Sequence, residues 1–242
     1  MKYLKYFENL DAYNFSNREL ITLKDLSIPK HIDGNFNCED NKLSSLEYGP
    51  EYVGGDFNAE FNQLMSLEFC PIYVGGSFDV SSSWITSLEY IPEHIGGSLI
   101  IDYNKITSLE YCPEIINGGF ICNHNKLTSL EFGPKKVMGN FNCSDNNLTS
   151  LDFCPDYVEG DFNCSNNKWS APIPYELIKK YDIQTRYLYN FEQIAKFSSY
   201  KYQKEFLTEN PEKYKDLEPI GYDDQIIEEF DWLFNAANMG LM

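Results

Sequence analysis

The chain repeats itself every 21 residues, and this period limits the possible folds more than any other feature. The block GNFNCEDNKLSSLEYGPEYVG at residues 34–54 is followed without insertion by GDFNAEFNQLMSLEFCPIYVG and then by GSFDVSSSWITSLEYIPEHIG. Seven such units cover residues 34–170. A fixed period of this size is typical of a solenoid, in which each unit packs only on its neighbours.

Each unit begins with a pattern that predicts a short strand. Gly34, Phe36 and Cys38 alternate with polar residues, so their side chains are expected to point inward from one strand. The large position of this strand is occupied in turn by Phe36, Phe57, Phe78, Leu99, Phe120, Phe141 and Phe162. Stacked units place these strands side by side, which predicts a parallel sheet of seven strands, roughly 30 Å long.

Two further rows are interpreted as structural. The turn after each strand carries Asn41, Asn62, Ser83, Asn104, Asn125, Asn146 and Asn167. An amide there can satisfy backbone groups of its own unit and of the next one. Cys122, Cys143 and Cys164 lie on adjacent units and are predicted to be buried thiols. A metal site or a disulfide is the alternative, although parallel in-register side chains are poorly placed for either.

The second half of the unit is predicted to return the chain through short turns. A leucine row begins at Leu46, a proline row begins at Pro50, and a valine or isoleucine row begins at Val53. A carboxylate such as Glu47 follows the leucine, which suits the N-terminal end of a short helical turn. A stacked row of carboxylates is also able to hold cations.

The units resemble the short leucine-rich repeats of bacteriophage-encoded proteins. The similarity is carried by GDFNCSNNK at 160–168, NKLTSLEFGP at 125–134 and GGDFNAEFNQLMSLEFCP at 54–71, and it covers about residues 30–174. The stretch Phe-x-Cys-x-x-Asn-x-Leu matches the second half of the leucine-rich repeat signature. The resemblance implies an α/β solenoid, a horseshoe with its parallel β-sheet on the concave side and short turns on the convex side.

The spacing is also similar to the short repeats of bacterial type III secreted effectors. Some of those proteins carry a ubiquitin ligase domain with a catalytic cysteine beyond the repeats. No cysteine follows Cys164 in this sequence, so that activity has no nucleophile here.

The two ends of the chain depart from the period. Residues 1–33 are predicted to form an N-terminal cap, with a helix through Leu4, Phe7 and Leu10 and a degenerate repeat that keeps Ile32 in register with Val53. Residues 171–242 are predicted to form a C-terminal helical region, with helices near 184–207 and 223–238. The acidic, amphipathic second helix is expected to pack as part of a helical cap, or alternatively to dock on another protein.

Charge and cysteine usage exclude several classes of partner. The net charge of −18 argues against direct binding to nucleic-acid phosphates and to anionic membranes, because both need a basic face. There is no run of eighteen apolar residues and no apolar signal segment at the start. Seven cysteines without a CxxC pair favour reduced thiols. We therefore expect a cytoplasmic location, in a bacterium or in an infected host cell.

The candidate binding site comes from departures from the repeat. Strand positions that face outward are mostly Asn, Ser and Asp. The middle units replace polar residues at these positions and at the following turn with large or ring-bearing ones, namely Phe61, Trp84, Ile100, Tyr103, Ile121 and His124. Exposed aromatic residues in one place mark a binding surface. The alternative is that an aromatic-rich chain leaves some rings outside, or that the end segments cover them.

No catalytic motif is present: there is no P-loop, GxSxG, HExxH or strand-linked GxGxxG. His31, His94 and His124 are interpreted as lying at unrelated positions and forming no metal site, and no cofactor is predicted. We therefore expect a non-enzymatic protein-protein interaction module that binds its partner through the concave face and the ascending-loop edge. The resemblance implies a phage protein that acts on a host factor. The sequence does not indicate the partner's identity or the oligomeric state.

Two alternatives stay open. One is an acidic decoy that mimics nucleic acid, because residues 30–170 contain twenty acidic and seven basic residues. The other is an enzyme whose activity resides in residues 171–242.

Overall fold

The computed structural model describes residues 13–168. Each unit of 21 residues forms one coil of the solenoid, and every strand in it is two residues long. The strands are β1 Tyr13–Asn14, β2 His31–Ile32, β3 Phe36–Asn37, β4 Tyr52–Val53, β5 Phe57–Asn58, β6 Tyr73–Val74, β7 Phe78–Asp79, β8 His94–Ile95, β9 Leu99–Ile100, β10 Ile115–Ile116, β11 Phe120–Ile121, β12 Lys136–Val137, β13 Phe141–Asn142, β14 Tyr157–Val158 and β15 Phe162–Asn163. A three-residue 3-10 helix, Lys24–Leu26, precedes β2.

The odd-numbered strands form one long parallel sheet. Its order is β1-β3-β5-β7-β9-β11-β13-β15, and the units pair in register, so that Phe36 lies opposite Phe57. The buried phenylalanines stack, with ring centroids 5.5 Å apart between Phe36 and Phe57 and 5.3 Å between Phe57 and Phe78. The predicted parallel sheet is confirmed, but it has eight strands, because Tyr13 pairs with Phe36 and adds a strand that the sequence did not predict.

The even-numbered strands form two shorter parallel sheets on another side of the coil. Their orders are β2-β4-β6-β8 and β10-β12-β14. In each of these strands the second residue points inward, as Val53 does, and the first points outward, as Tyr52 does. The degenerate first unit joins this pattern, because Ile32 pairs with Val53 as predicted.

The prediction of an α/β leucine-rich repeat horseshoe is wrong. The chain is a parallel β-solenoid of about seven 21-residue units, and residues 13–168 contain no α-helix. The return segment cannot be helical, because Tyr48 and its equivalents adopt a left-handed backbone with φ near 70° and Pro50 follows two residues later. The carboxylates of the Glu47 row therefore lie at the second position of a tight turn, closed by a hydrogen bond from Gly49 N to Leu46 O, rather than in a helical turn.

The predicted C-terminal helical region at 171–242 and the predicted N-terminal helix through Leu4, Phe7 and Leu10 lie outside the described residues.

The asparagine row has the structural role that the sequence predicted. The Oδ1 atom of Asn104 accepts a hydrogen bond from Ile85 N at 3.0 Å, and its Nδ2 atom donates to Val80 O at 3.0 Å and Ile101 O at 3.2 Å. The amide thus links its own unit to the preceding unit, not to the next one. Ser83 is too short to do this, and its hydroxyl is buried without a hydrogen-bond partner.

The seven cysteines all lie within residues 13–168, and none of them forms a disulfide bond there. Cys38, Cys122, Cys143 and Cys164 are fully buried in the core. Burial raises the pKa of the Cys164 thiol to about 12, and it raises the pKa of the Cys122 and Cys143 thiols as well. These side chains therefore pack in the core, and their burial disfavours the thiolate form.

The glycine that opens each unit permits a close approach between neighbouring coils. A Cβ atom added to Gly76 would lie 2.1 Å from Asp56 Oδ1 and 2.8 Å from the carbonyl carbon of Gly55. A larger residue has no space at this position in the six units from Gly55 to Gly160, whereas Gly34, which opens the first unit, has no atom within 4 Å of an added Cβ.

Candidate protein-binding surface

The first turn after the long sheet carries three of the predicted site residues. Phe61, Tyr103 and His124 occupy the same position of their units and adopt a left-handed backbone with φ of 52°, 50° and 52°. This conformation directs their side chains outward: Phe61 is 56% exposed and Tyr103 is 52% exposed. Asp40, Asp145 and Asn166 occupy the same position in other units, with φ between 50° and 53°.

The structure brings Tyr103 and His124 into direct contact. Their rings stack with centroids 4.1 Å apart and planes 14° from parallel. The side-chain amide of Asn123 lies 2.9 Å from Nδ1 of His124, and Asp145 Oδ2 lies 3.8 Å from the same nitrogen. The pair is therefore held in a fixed orientation on the surface.

Ile100 and Ile121 form an apolar pair beside this stack. They are register partners on β9 and β11, at the outward position of the long sheet, and both are half-buried. In the other five units this position holds Asn37, Asn58, Asp79, Asn142 and Asn163. Each of those side chains accepts a hydrogen bond from the backbone N–H two residues later. An isoleucine cannot accept this bond.

Trp84 and Phe61 extend the surface toward the N-terminal units. Trp84 is 45% exposed, and Lys105 Nζ lies 5.2 Å from the centroid of its ring. Phe61 lies two units before Tyr103 in the same row, with Ser82 between them. The six residues thus form a central group of Tyr103, His124 and the isoleucine pair, with Trp84 and Phe61 toward one end. We call these six residues the patch.

Sequence reasoning missed a row of carboxylates that runs beside the patch. Glu39, Glu60 and Asp102 occupy the same position of their units, directly after the long sheet. In the third unit that position is Ser81, and Asp79, two residues earlier, supplies the carboxylate. We call these four residues the acid row. The pKa of Asp102 is raised to about 6, chiefly by burial; a backbone hydrogen bond and His124 oppose the rise, and Asp79 contributes to it. Burial also raises the pKa of Asp79 and of Glu60.

Sequence reasoning also missed a continuous line of exposed rings at the second turn of the coil. We call it the aromatic ridge, and its members are Tyr48, Phe69, Tyr90, Tyr111, Phe132 and Phe153. They are 42–64% exposed and have φ between 63° and 73°. The signal was present as an aromatic residue after each carboxylate, but nothing in the sequence indicates that a bulky residue takes a left-handed backbone.

Two of the three histidines, His31 and His94, are related by the repeat, contrary to the prediction. His31 and His94 are not at unrelated positions, because they lie three units apart in the same row. The rings form one stack in the order His31, Tyr52, Tyr73, His94, with successive centroids 4.1, 4.5 and 4.5 Å apart. Across the part of the chain that the structure covers, no group of three histidines, cysteines or carboxylates is placed to hold a metal ion.

Comparison with protein-family models, with curated proteins and with solved structures gave no match for this chain. Between residues 13 and 168 no helix has the length and apolar character needed to cross a bilayer.

Proposed function

We propose that this protein is a non-enzymatic binding module whose patch contacts a partner protein. The observation that supports the proposal is that the patch replaces residues that serve the fold. Phe61 and Tyr103 stand where Asp40, Asp145 and Asn166 stand in other units, and the isoleucine pair stands where five other units have a capping side chain.

These replacements lower the stability of the coil. A bulky residue in a left-handed conformation costs roughly 1 kcal/mol or more, whereas Asn and Asp tolerate it well. Each isoleucine removes a hydrogen bond worth about 1 kcal/mol. Ring stacking and apolar contact recover part of this free energy. Residues kept at a cost to the fold and exposed together are expected to serve binding.

The chemistry of the patch indicates what the partner offers. The aromatic rings and the isoleucine pair suit an apolar anchor from another protein, since rings of this kind dominate protein interfaces. Asp102 and the rest of the acid row lie along one side. We therefore expect the partner's contact surface to combine an apolar centre with basic residues at its rim.

We further propose that the protein is a leucine-rich-repeat-like phage or bacterial protein that acts on a host factor in the cytoplasm. This part rests on the resemblance of the units GDFNCSNNK and NKLTSLEFGP to short repeats of phage-encoded proteins. A bacterial lysate is therefore the first place to look for the partner.

The test uses the full-length protein as affinity bait in bacterial lysate. The patch variant is Phe61→Asn, Trp84→Asn, Tyr103→Asn, and each asparagine is one that the chain itself uses at that position, as at Asn147 and Asn166. The control variant is Ile72→Asn, Ile115→Asn, Met138→Asn, which removes three exposed apolar side chains elsewhere.

We expect a partner that the wild type and the control variant retain and that the patch variant loses. We also expect the patch variant to melt at the same temperature as the wild type or higher, because asparagine suits the left-handed backbone. Equal retention by all three proteins would contradict the proposal.

The acid row favours a second candidate, an acidic decoy that occupies a nucleic-acid-binding protein. Glu39, Glu60, Asp79 and Asp102 place one carboxylate on each of four successive units. A decoy partner would remain bound to the patch variant and would dissociate in moderate salt, because charge alone would hold it. An enzymatic activity in residues 171–242 lies outside the described residues.

A further inference from the structure

We infer that the aromatic ridge is a second binding surface, separate from the patch, that takes an extended arginine- and lysine-rich segment of a partner protein. The inference goes beyond the proposed function and does not rest on it. It starts from the regularity of the ridge: one exposed ring per unit in six consecutive units. With about 4.8 Å between units, the ridge is roughly 24 Å long.

A carboxylate accompanies every ring of the ridge. The residue before each ring is exposed and acidic, and these residues are Glu47, Glu68, Glu89, Glu110, Glu131 and Asp152. Their backbone N–H groups are held in the same way throughout, as in the bond from Glu89 N to Ser87 Oγ at 3.1 Å. The ridge therefore combines ring faces with a parallel line of negative charge.

The carboxylates and the rings act on each other at close range. The Glu89 carboxylate raises the pKa of the Tyr90 hydroxyl, and desolvation, Glu68, a hydrogen bond to Glu89 and Tyr111 add to the rise. The charges of Glu68 and Glu89, on two successive units, therefore both act on the same phenol.

Basic residues are missing from the sequence that forms the ridge. The six segments 44–49, 65–70, 86–91, 107–112, 128–133 and 149–154 contain six acidic residues and no lysine or arginine. The charged side chains of these segments are therefore all negative, and they do not repel a cationic ligand. The charge complementarity selects a basic partner and disfavours nucleic acid.

The chain itself shows how a cation sits on the ridge. Lys24 Nζ lies 5.9 Å from the centroid of the Tyr48 ring, at the N-terminal end of the ridge. The contact places an ammonium over a ring face, which is the geometry of a cation–π interaction. The five later rings are exposed as well, at the same position of their units. Arginine suits them best, because its planar guanidinium stacks on rings and also pairs with carboxylates.

The experiment measures binding of fluorescein-labelled nona-arginine to the full-length protein by anisotropy. Nona-lysine and a neutral Gly-Ser peptide of the same length are the comparison probes. The ridge variant is Tyr90→Asn, Tyr111→Asn, Phe132→Asn, which leaves the net charge unchanged and keeps a residue that tolerates φ near 70°. The control is again Ile72→Asn, Ile115→Asn, Met138→Asn.

We expect the ridge variant to bind nona-arginine about tenfold more weakly than the wild type, from the loss of three cation–π contacts. The control variant and the patch variant should bind as the wild type does. Nona-lysine should bind more weakly than nona-arginine, and the neutral peptide should not bind. Thermal melting by circular dichroism verifies that the ridge variant is folded.

A second pair of variants separates the ridge carboxylates from the net charge. Glu68→Gln, Glu89→Gln, Glu110→Gln removes three charges on the ridge, while Asp40→Asn, Glu93→Gln, Asp156→Asn removes three exposed charges elsewhere. We expect the first variant to weaken binding several-fold more than the second. Equal weakening by both, or unchanged binding by the folded ridge variant, would show generic charge attraction and overturn the inference.

Two other outcomes would also overturn it. Equal binding of the neutral peptide would mean that the ridge does not select charge. If only the patch variant lost binding to nona-arginine, the site that binds the cationic peptide would lie on the patch. Because the lysate partner is scored with the patch variant, failure of the ridge leaves the proposed function untouched, and the reverse also holds.

Discussion

At the scale of single residues, the asparagine row is interrupted once, at Ser83. The equivalent amide in the next unit, Asn104, makes hydrogen bonds to its own unit and to the preceding one. Ser83 reaches none of these partners, and its own hydroxyl is buried and unpaired. The third repeat is therefore the place where one substitution can add several buried hydrogen bonds.

We predict that Ser83→Asn raises the free energy of unfolding by about 1–3 kcal/mol, because it restores these bonds and removes an unsatisfied hydroxyl. Denaturant or thermal unfolding of the wild type and the variant measures the change. Ser82→Asn, at the neighbouring half-exposed position, is the control and should change stability much less. A lower stability for Ser83→Asn would mean that the third unit is packed differently from the others.

Asp102 gives a pH-dependent prediction. Its pKa in the folded protein is about 6, above the ordinary value of 3.8, chiefly because of burial. As the pH rises, the Asp102 carboxyl group ionises at a lower pH in the unfolded chain than in the folded protein. The free energy of unfolding therefore falls between about pH 4 and pH 6. Asp79, Glu60 and His124 are the titratable groups that face it.

We predict that Asp102→Asn stabilises the protein by roughly 1 kcal/mol at pH 7.5, after allowance for the partial exposure of the carboxyl group. The stabilisation should shrink at pH 5 and vanish near pH 3, below the ordinary value of 3.8, where the wild-type carboxyl group is protonated in both states. Melting temperatures of the two proteins at these pH values provide the measurement. A stabilisation that is constant with pH would show that the charge of Asp102 is not the cause.

At the scale of elements, the strands have only two residues, so stacking of side chains holds the sheets together. The buried phenylalanine row places one ring directly over the next, with Phe120 and Phe141 5.6 Å apart and 3° from parallel. Phe132, in the same unit as Phe120, belongs to the exposed ridge. The two residues therefore provide a matched pair of one amino acid in opposite environments.

We predict that Phe120→Ala lowers the free energy of unfolding by about 3–5 kcal/mol, because it leaves a cavity between Leu99 and Phe141, its neighbours in the buried row. Phe132→Ala should change stability by about 0.5 kcal/mol or less, since its ring is mostly in water. Urea unfolding of both variants gives the comparison. Similar losses in the two variants would mean that the ridge, and not only the inner row, belongs to the core.

The first half of each unit could be predicted from the sequence, and the second half could not. The period-two pattern of Gly34, Phe36 and Cys38 specifies a strand and its inward face. The Tyr52–Val53 pair is as compatible with a turn as with a strand, because two residues carry no measurable period. The horseshoe prediction relied on a signature match that covers only half of the leucine-rich repeat. It was wrong because the short return segment, with its left-handed turn and proline, cannot form a helix.

Only the part of the candidate site that departs from the repeat could be predicted from the sequence. The patch residues could be identified because Phe61, Trp84 and Tyr103 break the repeat. The aromatic ridge could not be found in this way, because its rings never break the repeat. Recognising it required the backbone, since φ near 70° is unusual for aromatic residues and turns them outward.

At the scale of the whole molecule, a solenoid of in-register units should tolerate the loss of one unit. Each coil contacts only its neighbours, so stability is close to a sum over units and interfaces. Removing residues 139–159 joins the chain with Gly160 in place of Gly139 and leaves the patch intact. Removing residues 139–157 deletes nearly the same sequence but shifts every later row by two positions.

We predict that the 21-residue deletion keeps a cooperative thermal transition at a somewhat lower temperature, while the 19-residue deletion loses the transition or broadens it strongly. Circular dichroism during heating distinguishes the two variants. If both deletions unfold alike, the units do not stack in register.

The most direct test of the central claim, that the patch binds a partner protein, is site-specific photo-crosslinking in bacterial lysate. The photoreactive residue benzoylphenylalanine replaces Gln63, which occupies the same unit position as Trp84 and leaves all six patch residues in place. The control position is Ile115, which is exposed on β10 at another side of the coil. We predict one covalent protein adduct from position 63, absent from position 115 and abolished by Trp84→Asn, Tyr103→Asn. An adduct formed equally from both positions, or one that persists in the double variant, would contradict the account.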